Sequence, residues 1–217
     1  MQTLLDTAHC RLTLYRYPRQ SQDPLQAWDA ADEYLINTLA EETLEQDGPV
    51  IIMNDSFGAL AAYLHGHGPV CVSDSYISEQ ATLANLAENG LEASGITLQD
   101  ALAPLPAAPA LVVIKVSKYQ ALLEQQLLAL RAVVTPATRI LAAGKAKDIH
   151  SSTLKLFEKY LGETRTSLAW KKARLIHCEP QADRPDLTSP FPTVWPLEGS
   201  DMLIHNHANV FSRTSLD

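Results

Sequence analysis

Residues 48–64, GPVIIMNDSFGALAAYL, constrain the fold more than any other stretch of the chain. Gly48-Pro49 signals a turn, Val50 to Met53 form a short apolar run, Asn54, Asp55 and Ser56 make a polar corner, and an alanine-rich amphipathic segment begins near Gly58. The order reads strand, tight loop, helix. Units of this kind carry glycines at the corner when they cradle a nucleotide, because only glycine lets backbone N–H groups close on the ligand. This corner keeps one glycine, so the stretch is either a working cofactor loop or the skeleton of one.

The rest of the chain supplies the alternation that such a unit needs. Leu12, Leu14 and Tyr15 suggest an edge strand closed by Pro18. Asp23-Pro24 suits a helix start, with Asp as N-cap and Pro at the first helical position, and Trp28, Ala31, Leu35 and Leu39 follow at helical spacing. Further strands are expected at Val70–Val72, Ile96–Leu98, Leu111–Ile114 and Arg139–Ala143, and helices at Ser78–Asn89 with Gly90 as its stop, Tyr119–Val134 and Ser151–Tyr160. The pattern predicts an α/β fold with a doubly wound, mostly parallel, seven-stranded Rossmann-like sheet. Residues 1–178 form its expected core. Residues 179–200 hold five of the 13 prolines and read as a surface connection. A last strand near Met202–His205, within 201–217, is expected to lie antiparallel to Ala173–Cys178 and so to close a C-terminal hairpin.

No apolar run approaches the roughly 20 residues that span a bilayer, and no basic start precedes an apolar stretch, so a cytoplasmic protein is expected. Cys10, Cys71 and Cys178 form no CxxC pair. His65 with His67, and His205 with His207, have ligand-like spacing but no third donor beside them, and no metal site is expected. Charge is unevenly distributed. Between Lys115 and Arg174 there are 12 Lys and Arg against 4 Asp and Glu, whereas the remainder holds 5 against 21. A basic half on a chain of net charge −8 suits a face that meets phosphates.

Val70 to Leu91, VCVSDSYISEQATLANLAENGL, resembles the second-strand region of the bacterial S-adenosylmethionine-dependent methyltransferases that modify guanine N2 in ribosomal RNA. The closing HNHANVFSRTSLD, in 201–217, is similar to the linker by which that family's N-terminal domain enters its catalytic domain, and with LLEQQLLAL, KAKDIH and LAWKKARLI it resembles the large-subunit (23S) branch. The resemblance implies a parent enzyme with two methyltransferase-like domains in tandem, the first degenerate and the second active. It implies that this chain is the first, ending where the catalytic domain would start, with S-adenosylmethionine bound only in that absent domain.

Carried over residue by residue, the family's first motif puts its acidic residue on Ile52 and its glycines on Asn54 and Ser56, leaving Gly58; Asp74 remains at the ribose position. The family's catalytic Asn-Pro-Pro-aromatic tetrapeptide, which holds the target amine and stacks the flipped base, falls on Lys115, Val116, Ser117 and Lys118. No acceptor for the amine and no ring for the base are left. Asn54, Ser56, Gly58 and Asp74 therefore read as remnants of a cofactor site. Lys115 and Lys118 close the fourth strand and Lys145 and Lys147 follow the fifth, so a doubly wound sheet puts them on one rim. Lys171, Lys172 and Arg174, beside Trp170, extend the basic surface, which suits contacts to phosphate and shape. The expected function is to bind and position large-subunit ribosomal RNA for methylation by the C-terminal domain of the same chain. Two other readings stay open: a protein-interaction domain docking the catalytic domain or an acidic partner, and a free-standing small-molecule methyltransferase.

Overall fold

A computed structural model describes residues 2–21, 23–42 and 47–210. Residues 211–217, part of the closing run that carried the resemblance, lie outside them.

Seven strands make one sheet. In chain order they are β3 (Val50–Met53), β4 (Val70–Val72), β5 (Thr97–Gln99), β6 (Leu111–Lys115), β7 (Arg139–Lys145), β8 (Gly162–Thr166) and β9 (Ala173–Pro180), following a separate hairpin of β1 (Leu4–Asp6) and β2 (Arg11–Thr13). The spatial order is β5-β4-β3-β6-β7-β9-β8. Pairing is parallel from β5 through β7, and β9 runs antiparallel to both β7 and β8. The helices are α1 (Ala30–Ala40), α2 (Ala59–Tyr63), α3 (Tyr76–Glu88), α4 (Gln120–Arg131) and α5 (Ser151–Tyr160). The expected doubly wound, mostly parallel sheet is thus present.

Why these runs form central strands is visible in their burial. Every residue of β3 and of β6 is buried, as the uninterrupted apolar runs VIIM and LVVI require of strands covered on both faces. Alternate side chains serve opposite layers. Ile52, Val113 and Leu141 pack with Leu35 of α1, Leu60 of α2 and Leu86 of α3, while Ile51, Ile114 and Ile140 pack with Leu127 of α4 and Phe157 of α5. Each such side chain contributes about 1.5–3 kcal/mol by leaving water.

Several expectations need correction. The helix expected from Asp23-Pro24 starts at Ala30. Its N-cap is Asp29, whose carboxylate accepts from the amides of Ala31 (2.9 Å) and Asp32 (3.2 Å), while the Asp29 amide donates to the Asp32 side chain (2.8 Å). Asp23 is taken instead by Arg16 and the Leu25 amide. The helix expected from Ser78 starts at Tyr76, capped by Ser75, whose hydroxyl accepts from the Ser78 amide at 3.2 Å. Residues 12–15 do not join the sheet as an edge. β2 pairs with β1, and from Thr13 to Tyr15 the chain hydrogen-bonds to Asn85 of α3 and to Asn89, the residue that caps its C-terminus. Asn89 exchanges two hydrogen bonds with the backbone of Thr13 (both 2.8 Å), and the buried Asn85 accepts from Tyr15 N (2.9 Å) and donates to Tyr15 O (2.8 Å) and Phe57 O (2.7 Å). The two amides stand in for a strand edge.

The C-terminal hairpin is also built differently. Both edges of β9 are taken by β7 and β8, so β11 (Leu203–Asn206) pairs with β10 (Thr193–Pro196), which lies inside the stretch read as a connection. Just past the hairpin the buried Ala208 reaches α4, its amide donating to Gln125 at 3.2 Å.

Candidate nucleic-acid interface

The carboxyl ends of β3, β4, β6 and β7 converge on a cleft of about 460 Å³, to which Asn54, Ser56, Asp74, Lys115, Lys118 and Lys145 all contribute. Asn54, Ser56, Asp74 and the first rim lysines thus share one place. At three points beside it, side chains of the protein take up its own donors and acceptors.

Asn54 sits in the left-handed backbone region at φ 64, a conformation that glycine adopts freely and asparagine tolerates. Its side chain exchanges two hydrogen bonds with the buried Gln126 of α4 (2.8 and 3.0 Å) and donates to the Lys115 carbonyl at 2.9 Å. Asp55 is buried, and its two oxygens accept from the amides of Gly58 (3.0 Å) and Ala61 (2.9 Å). An internal carboxylate therefore occupies the start of α2, where a loop of this kind would offer its N–H groups to a ligand. Burial raises the Asp55 pKa against the opposing effect of these amides. Gly58 remains glycine for two reasons: its φ is 84, and a Cβ there would lie 2.7 Å from Thr82 Cα.

Lys115 departs furthest from the sequence reading. Its side chain turns inward and is nearly buried, with Nζ 2.6 Å from Asp32 and 2.8 Å from Asp29, the first turn and cap of α1. It is not available on the rim to a phosphate. Burial would lower its pKa, yet the two carboxylates outweigh burial and hold it above the ordinary lysine value. Burial pushes Asp32 up to about 7 despite Lys115, whereas at the more open Asp29 burial is outweighed by the lysine charge acting together with the hydrogen bonds from Lys115, Asp32 N and Ala31 N, and the pKa falls. Sequence reasoning missed Asp29, Asp32, Asp55 and Gln126. The spacing Asp-x-x-Asp before an apolar periodic run was the available signal for the first two.

Asp74, at the ribose position, is engaged on both oxygens, accepting from the Ala101 amide (2.9 Å) and from the Asn209 side chain (3.3 Å). Ser56 is exposed on the cleft wall. Among the described residues no three His, Cys, Asp or Glu side chains are grouped to hold a metal ion; His65 bonds the Glu92 carbonyl instead, at 2.7 Å. Cys71 and Cys178 are buried thiols with pKa values raised by burial to about 12 and about 11.

Lys118, Lys145, Lys147, Lys171 and Lys172 are exposed. Lys171 and Lys172 form a two-residue turn between Trp170 and Ala173, which exchange both backbone hydrogen bonds at 2.8 Å. Both lysines have positive φ (46 and 67), an arrangement that favours Asn-Gly and that costs other residues roughly 1–2 kcal/mol each. Trp170 is half-buried, with the Tyr34 ring 5.4 Å away and the Lys171 ammonium 4.5 Å from its centre. Lys171 also pairs with Glu33 at 2.6 Å. Arg174 does not join the lysines. It is half-buried on β9, and the alternation that sends Ala173 and Leu175 to the α1 layer turns it to the opposite face.

A seven-stranded sheet with this order, parallel but for β9 and with a cleft at its carboxyl ends, defines a Rossmann-like domain of the methyltransferase type. The chain belongs to the family described as the RLMG N-terminal domain, which matches residues 2–182. It is 88% identical over its whole length to a protein of Aeromonas salmonicida named ribosomal RNA large subunit methyltransferase G, and 86% identical to the protein of that name from Aeromonas hydrophila. With the Erwinia tasmaniensis protein of that name identity is 56% over 98% of the chain. The chain spans 58%, 58% and 56% of the lengths of these three relatives. Among solved structures, a 16S rRNA N2 G1207 methyltransferase of T. thermophilus, in complex with AdoMet and guanosine, superimposes with a TM-score of 0.63 at 20% identity, over 99% of this chain and 54% of that one. A ribosomal protein L11 methylase of Lactobacillus delbrueckii gives 0.61 at 13% identity, over 83% of this chain and all of the other. These likenesses show the fold. Among the described residues no helix is long and apolar enough to cross a membrane.

Proposed function

We propose that this domain is the non-catalytic, RNA-binding part of a large-subunit ribosomal RNA guanine-N2 methyltransferase, holding RNA for a catalytic domain that contains the S-adenosylmethionine. One observation carries the reading. The corner that would hold a cofactor has its donors and acceptors satisfied by Asp55, Gln126, Asn209 and the Lys115 pair, while the exposed lysines stand on the same rim of the sheet. The residues do not fit S-adenosylmethionine. Ile52 offers no carboxylate, and the Asn54 side chain takes space that the family's glycine leaves open. Relatives named as ribosomal RNA methyltransferases, longer than this chain, support the assignment of chemistry to the remaining length. Titration of S-adenosylmethionine into the domain, followed by calorimetry, is expected to give no heat of binding; a micromolar dissociation constant would overturn the non-catalytic reading.

The RNA reading is tested by charge reversal. Lys145→Glu with Lys147→Glu reverses two exposed charges without touching an apolar position. Affinity for protein-free large-subunit RNA should fall tenfold or more near 0.1 M salt, and the dependence of log affinity on log salt should flatten by about two phosphate contacts. Arg11→Glu with Arg165→Glu is the matched control, because these side chains are 72% and 71% exposed and lie off the rim. Equal losses in the two variants, or none in either, would sink the localised face and favour docking to a protein partner.

A further inference from the structure

The lysines after β7 and those before β9 belong to two turns that are fastened to each other. The Ala146 amide donates to the Lys172 carbonyl at 2.8 Å, and Lys145 stands directly opposite Ala173 in the β7–β9 register. Between the turns and the start of α1 lies a concavity of about 760 Å³, rimmed by Lys145, Lys147, Lys171 and Lys172. Its volume is in the range of sites that enclose a small ligand. Its walls include the small side chains of Ala30, Ala146 and Ala169, and its one carboxylate, Asp29, gives an oxygen to Lys115. Lys145, Lys147 and Lys172 make no ion pair among the described residues, whereas Lys171 is held by Glu33.

We infer that this concavity seats an unpaired RNA nucleotide, its phosphates on the lysines and its base or ribose against the alanines. The inference rests on the RNA-binding reading and adds the class of RNA. A basic surface that serves duplex needs only to meet the backbone, because paired bases stay stacked inside the helix. A recess with cationic rim and apolar wall suits instead a residue that can be splayed out of its strand. The bond between the turns fixes the backbone from which the lysines project, so only their side chains need ordering on binding.

Filling the recess without changing charge separates this from simple attraction. Ala146→Leu with Ala169→Leu leaves every lysine in place, and the Ala146 amide still reaches Lys172. The wild-type chain should bind a short unstructured RNA oligonucleotide about tenfold more tightly than its duplex. The filled variant should lose that preference, its single-strand affinity dropping about tenfold with the salt slope and duplex affinity unchanged. Should the filled variant bind single strands as the wild type does, or should duplex bind as tightly as single strand, the inference is wrong while the charge-reversal result still stands. Absence of RNA binding by the wild type would instead remove the RNA-binding reading itself. Lys171→Asn with Lys172→Gly is the second variant, and it suits the turn better than the native pair. It should melt no lower than wild type and yet bind single strands several-fold more weakly, and undiminished binding would equally overturn the proposal.

Discussion

Replacing Lys115 with methionine is expected to destabilise the domain by about 3–5 kcal/mol near pH 8, because it leaves the buried Asp32 carboxyl without its cation, to be held either charged opposite an apolar side chain or protonated at a cost in free energy. For a chain of this size that is a fall in melting temperature of very roughly 6–20 °C. The deficit should depend on pH in a definite direction. Asp32 already titrates near 7 in the folded chain against 3.8 as its ordinary value, so its contribution to stability is fully present below about pH 4 and is lost as pH rises through 7. Without Lys115 the folded-state value rises further, so the gap between variant and wild type should widen from pH 5 to pH 8. Lys115→Met combined with Asp32→Leu removes both buried charges and should recover most of the loss. Equal melting temperatures for wild type and Lys115→Met would show that the inward ion pair does not form.

The second large effect is expected at Asn85. Asn85→Ala strips partners from Tyr15 N, Tyr15 O and Phe57 O together, and each unsatisfied buried group costs about 1–3 kcal/mol. Losses are not additive, since the segment can partly relax into water, and about 3 kcal/mol is expected. Amide exchange should accelerate at residues 13–15 well before it does in β3 or β6. Uniform exchange across the sheet and the N-terminal segment would contradict that picture.

The central sheet was legible because Val50–Met53 and Leu111–Ile114 are apolar without interruption, a pattern that only doubly covered strands need. β8 was missed for the complementary reason. GETRT is an edge strand with one face in solvent, and its polar residues carry no alternation that periodicity can detect. The start of α1 was misplaced because Asp23-Pro24 has the right local chemistry but is claimed by Arg16, a long-range partner. The site was half legible. Motif carry-over located Asn54, Asp74 and the lysine rim, since strand ends are fixed by local pattern. Where Lys115 points is decided by Asp29 and Asp32, more than 80 residues away in sequence, and no spacing rule near Lys115 encodes that.

The closed corner at Asn54 has a consequence for how such a chain can change. Placing glycine at position 54 strands the amide of Gln126, freeing the start of α2 means removing the Asp55 carboxylate that holds Gly58 and Ala61, and clearing Lys115 leaves the buried Asp32 without its cation. Each step toward an open loop is by itself a loss of stability, and none gives a binding site until the others are made. The corner thus works as a ratchet. Substitutions among the exposed lysines disturb none of these bonds, whereas opening the corner would have to pass through several less stable sequences in succession.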